Sequence, residues 1–116
     1  MFNYREIESE SIEFVPVINK DDLMDGERIF VEIDDLAIVV FNIAGSYFAI
    51  GDVCSHDDGP LGEGQTEEHE VICPRHGARF DIRTGKAVSL PAIIDIPAYP
   101  IQVVGDQIEI GVPLTK

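Results

Sequence analysis

Cys54, His56, Cys73 and His76 form the pattern C-x-H-x16-C-x2-H. Thiolate and imidazole are ligands for zinc, copper and iron–sulfur centres rather than for calcium or magnesium. Two residues between Cys73 and His76, and one between Cys54 and His56, let both side chains of a pair reach one site from one loop. The long gap lets a second loop approach from the other side. Two cysteines and two histidines can close a tetrahedron around zinc, yet common zinc patterns pair Cys with Cys and His with His. Mixed pairs fit equally a binuclear cluster to which each loop gives one ligand per iron. The spacing alone leaves both open.

The elements that position these residues read as strands. In "ERIFVEID", Ile29, Val31 and Ile33 share one face. "LAIVVFNI" and "SYFAIGDV" are two runs rich in branched and aromatic residues, joined around Ala44-Gly45. "ARFDIRTGKAVSL" reads as a hairpin turning at Thr84-Gly85. "YPIQVVGDQIEIGV" reads as another, with Ile101, Val103, Ile108 and Ile110 flanking Gly105-Asp106. The helix candidate is "NKDDLMDGE", where Asn19 could cap one or two turns. Short strands with turns between them predict an all-β sandwich or barrel. Three glycines and a proline in "CSHDDGPLGEGQ" exclude a regular strand there, and "CPRHG" breaks the pattern again. Each Cys-His pair therefore sits on a loop that follows a strand.

At 116 residues, one domain is expected, and 45% hydrophobic residues suffice for its core. The acidic, polar start "MFNYREIESESIEF" has no signal-peptide pattern and no apolar run is long enough for a membrane span, so a cytoplasmic location is expected. A reducing cytoplasm argues against a stable Cys54–Cys73 disulfide. The net charge of −14 disfavours nucleic acid and anionic membranes as partners; it suits a basic protein surface as partner, or serves only to keep the protein in solution.

The stretches "CSHDDGPLGEG" and "CPRHGARFDIRTGKAVSLPA" resemble the Rieske family, in which a 2Fe–2S cluster is held by two cysteines on one iron and two histidines on the other. The likeness extends to Gly77, Phe80, the Thr84-Gly85 turn and Pro91-Ala92, and the surrounding strands fit the family's antiparallel framework. The resemblance implies a single Rieske domain over residues 1–116, with a cluster-binding subdomain at about 52–92 formed by two loops. It implies that Cys54 and Cys73 hold the inner iron and His56 and His76 the outer one. The charges of two ferric ions, two sulfides and two thiolates cancel, and neutral imidazoles add none. Such a centre is easier to reduce than an all-thiolate one.

Rieske proteins of quinol-oxidising complexes add a disulfide between the loops, at positions matching Gly59 and Arg75. They add hydroxyl donors at positions matching Ala78 and Phe80. The lack of these donors implies a lower potential. The chain thus resembles a soluble Rieske-type ferredoxin of ring-hydroxylating oxygenase systems: a monomeric one-electron carrier and not itself an enzyme. Its implied partners are a flavin- or ferredoxin-dependent reductase and a terminal oxygenase. A small subunit of a nitrite reductase complex and a structural zinc module are the alternative readings. His69, among three glutamates, is expected to be a solvated surface residue, Phe80 to pack in the core, and Asp57 and Asp58 to stabilise the loop backbone.

Overall fold

The computed structural model describes residues 12–55, 59–75, 77–90 and 94–113. Their strands form three antiparallel sheets. The first has the order β1-β11-β10, from β1 (Ile12–Asn19), β10 (Ile101–Val104) and β11 (Gln107–Pro113). The second has the order β2-β3-β4-β9, from β2 (Arg28–Ile33), β3 (Leu36–Ile43), β4 (Ser46–Gly51) and β9 (Ala98–Tyr99). The third has the order β5-β6-β7-β8, from β5 (Thr66–Glu67), β6 (Glu70–Ile72), β7 (Arg79–Asp81) and β8 (Ala87–Ser89). The all-β reading therefore holds.

β3 explains how the sheets share a core. Successive side chains of a strand point to opposite faces. Ile38 and Val40 join one buried cluster with Ile108, Ile110 and Val112 of β11. Val39 and Phe41 join a second cluster with Val71 of β6, Phe80 of β7, and both cysteines. A strand covered on both faces reads as a continuous apolar run rather than an alternation, as "IVVF" (Ile38 to Phe41) does. β4 and β9 divide the same way: Ala49 and Tyr99 face the first cluster, Ile50 and Ala98 the second. The second sheet is thus a wall between the body of the protein and the metal-ligand loops.

The turns follow the predicted chemistry. Ala44 and Gly45 both have positive φ (55° and 88°) between the paired Ile43 and Ser46, the geometry that matches strand twist in a two-residue hairpin. Asp34 and Asp35 do the same between β2 and β3, at φ 51° and 68°. The Gly85 and Gly105 turns lie where the sequence placed them. The helix candidate is one 3-10 turn, Lys20–Asp22, with the Asn19 side chain accepting from the Asp21 N–H at 2.9 Å. No helix among the described residues is long and apolar enough to cross a membrane.

Candidate metal centre

Cys54 lies just beyond β4, and Cys73 follows β6 directly. Each begins a tight loop closed by its own backbone. The Cys54 N–H donates to Gly59 O at 2.7 Å, and the Cys73 N–H to Ala78 O at 2.7 Å. The Gly77 N–H returns to Cys73 O at 3.0 Å, and Gly77 has φ +78°, a conformation that favours glycine. Cys54 is 0% and Cys73 1% exposed, in the same apolar cluster as Leu61, Ala78 and Phe80. They are not joined in a disulfide.

The first loop is fastened to the wall behind it. Asp52 Oδ1 accepts the N–H groups of Leu61 (2.9 Å) and Gly62 (2.6 Å). Arg28 Nη1 donates to Gly62 O and Gly64 O, both at 2.7 Å, while its guanidinium lies 5.1 Å from the Phe41 ring centroid. Gly64 is required by contact: a Cβ there would stand 1.8 Å from Ile72 O of β6. The Ile72 N–H then donates to Gln65 O at 2.8 Å. Ser55 Oγ donates to Ile94 O, tying the Cys54 loop to the chain after β8.

The second loop is held by the third sheet. Phe80, fully buried, pairs with Val71 and Ala87 beneath it. Arg79 bridges Glu67 and Glu70 at 2.7 and 3.2 Å. Asp81 begins the β7–β8 turn and binds Arg83 through both carboxylate oxygens. Partial burial raises the Asp81 pKa, but the Arg83 side-chain and backbone hydrogen bonds outweigh it and hold the carboxyl below its ordinary value.

The structure places Cys54 and Cys73 in one buried apolar cluster. His56 and His76 lie outside the described residues, as do Asp57, Asp58, Pro91 and Ala92. His69 departs from the solvated residue expected: it is half-buried and meets the Phe48 ring edge-on at 6.1 Å. Its carbonyl also accepts the Ile82 N–H at 2.7 Å. Gly59 and Arg75 touch, with Arg75 Nη1 donating to Pro60 O at 2.6 Å. Sequence reasoning missed Arg28 and Asp52. Asp52 had a signal, an acceptor at a strand end before a glycine-rich loop; Arg28 had none.

The donor set fits a cationic centre. A buried thiolate is costly unless a positive charge compensates it. Two such groups from two loops suit one iron of a cluster. Among the described residues no group of three His, Cys, Asp or Glu side chains is placed to hold an ion.

Two cysteine-led loops braced on a β wall define a metal-centre domain. The chain belongs to the Rieske [2Fe-2S] domain family, whose model matches residues 13–100. The family's cofactor is the Rieske cluster, which resolves the choice the spacing left open. A 3-phenylpropionate/cinnamic acid dioxygenase ferredoxin subunit from Shigella boydii is 38% identical over 93 residues, 79% of this chain and 87% of the relative. The ferredoxin of carbazole 1,9a-dioxygenase from Nocardioides aromaticivorans superposes with a TM-score of 0.79 at 32% identity, covering 84% of this chain and 95% of that one. The Sphingomonas yanoikuyae B1 ferredoxin does so at 0.79 and 29%, covering 87% and 100%.

Proposed function

We propose that this chain is the Rieske ferredoxin component of a ring-hydroxylating dioxygenase system, taking one electron from a reductase and passing it to a terminal oxygenase. The observation that carries the reading is the burial of Cys54 and Cys73 in one cluster on two loops, within a chain 38% identical to a dioxygenase ferredoxin subunit. Cys54 and Cys73 would hold one iron, and His56 and His76 the other. The cluster, when bound, takes up and gives back a single electron.

The chain's own residues do the rest. Leu61, Ala78 and Phe80 exclude water from the thiolates. Asp52 and Arg28 fix the first loop, and the third sheet fixes the second, so that little reorganisation accompanies a change of charge. The protein is a carrier and not a catalyst of bond-making. We place it in the cytoplasm, as a monomer formed of one Rieske domain with a cluster-binding subdomain at about 52–92. The net charge of −14 suits a basic docking surface on either partner.

Stopped-flow mixing of the reduced protein with a terminal dioxygenase oxygenase tests this. Transfer of one electron per chain is expected. Its second-order rate should fall as salt rises, because exposed charges are screened over about 10 Å at 0.1 M. A protein that accepts no electron, or passes none on, contradicts the reading.

A further inference from the structure

We propose that Arg75 is a positioning residue that clasps the two loops together at the exposed edge of the site, with Gly59 as its seat, and so sets how fast a bound cluster is lost. The proposal rests on the reading that the cluster lies between these loops. Arg75 belongs to the second loop, two residues after Cys73. Its Nη1 donates to Pro60 O of the first loop at 2.6 Å. A Cβ on Gly59 would lie 2.7 Å from Arg75 Cζ, 2.8 Å from Nη2 and 3.1 Å from Nε. The guanidinium therefore occupies the space that a side chain at position 59 would need.

Gly59 is not among the positive-φ residues, so its backbone conformation does not call for glycine. The arginine does. The seat is also tied to the site, because Gly59 O accepts the Cys54 N–H. Arg75 therefore links the turn that carries one thiol to the turn that carries the other. A lysine would keep the charge, but as a compact point charge it lacks the forked guanidinium that fills this space.

Two variants break the clasp from opposite sides. Arg75→Gln removes the guanidinium. Gly59→Ala pushes it off, and the displaced atoms are the far end of a flexible side chain, so the fold should survive. The readout is bleaching of the visible absorption of the cluster-loaded protein by an iron chelator. A hydrogen bond to a charged donor at this strength predicts loss about tenfold faster in each variant. The double variant should be no faster than either single one, because both remove the same contact. Arg75→Lys should bleach as fast as Arg75→Gln, and the starting spectrum should be unchanged in all. Bleaching of Arg75→Gln at the wild-type rate overturns the clasp, as does an equal acceleration by Gly59→Ala in the Arg75→Gln background. Wild-type protein that carries neither iron nor sulfide would overturn the cluster reading itself, and is seen before any variant is compared.

Discussion

Asp52 and Arg28 grip the same residue of the first loop: the Gly62 N–H donates to Asp52 Oδ1 at 2.6 Å, and Gly62 O accepts from Arg28 Nη1 at 2.7 Å. Asp52 stands at the end of β4 and Arg28 at the start of β2, so both edges of the grip are anchored in the wall. Asp52→Ala leaves the Leu61 and Gly62 N–H groups without their acceptor. An unsatisfied buried donor costs roughly 1–3 kcal/mol, and because Asp52 itself is half-exposed and water can enter in its place, a loss of about 2 kcal/mol is expected. Asp52→Asn keeps one acceptor oxygen and should cost less than half as much. Urea titration of the two variants side by side measures the difference.

Gly64 sets how closely the first loop can approach β6. Its Cβ would overlap Ile72 O, a backbone atom that cannot swing away. Gly64→Ala should cost about 3 kcal/mol or more, as overpacking does. Gly105→Ala is the control. Nothing lies within 4 Å of its Cβ, and only its φ of +61° is unfavourable, a cost of about 1 kcal/mol. Thermal melts of both variants should rank them in that order.

These two sites mark what the sequence could and could not convey. Alternation placed Ile29, Val31 and Ile33 on one face, and all three pack against the cluster that contains Ile108 and Ile110. The cysteine-led loops after strands were legible from their ligands and glycines. β5 was not, because Thr66–Glu67 is exposed and polar, and only pairing with Val71 and Glu70 makes it a strand. His69 was misread because its three glutamate neighbours in sequence say nothing of Phe48, which the fold brings to it from 21 positions away. Arg28 was invisible for the same reason: its partners are 34 and 36 residues distant.

Ala78 and Phe80 match the positions at which the resemblance to quinol-oxidising Rieske proteins implies hydroxyl donors, and both are fully buried in the core cluster that contains the two cysteines. Ala78→Ser and Phe80→Tyr each add one oxygen. A donor aimed at sulfur favours the reduced, more negative centre. Allowing about 1–2 kcal/mol for the difference between redox states, the potential should rise by roughly 40–90 mV per hydroxyl. Voltammetry of the double variant against wild type gives the answer.

Asp81 supplies a pH dependence. Its carboxyl has a lower pKa folded than unfolded, despite partial burial, because Arg83 binds it. Its contribution is therefore present above the ordinary carboxylate range and is lost as the pH falls through the folded value. Stability should decline in acid below about pH 4, and Asp81→Asn should flatten that part of the curve while lowering stability at neutral pH. Denaturant midpoints of the two proteins from pH 3 to 7 are the comparison.

Pulsed electron paramagnetic resonance of the reduced protein reads the ligand set itself. A paramagnetic centre coupled to two directly bound histidine nitrogens is expected, with one coupling removed or the whole signal lost in His56→Ala and in His76→Ala. A protein with no signal after reduction, or a signal that shows no nitrogen coupling and persists unchanged in both variants, would contradict that ligand set.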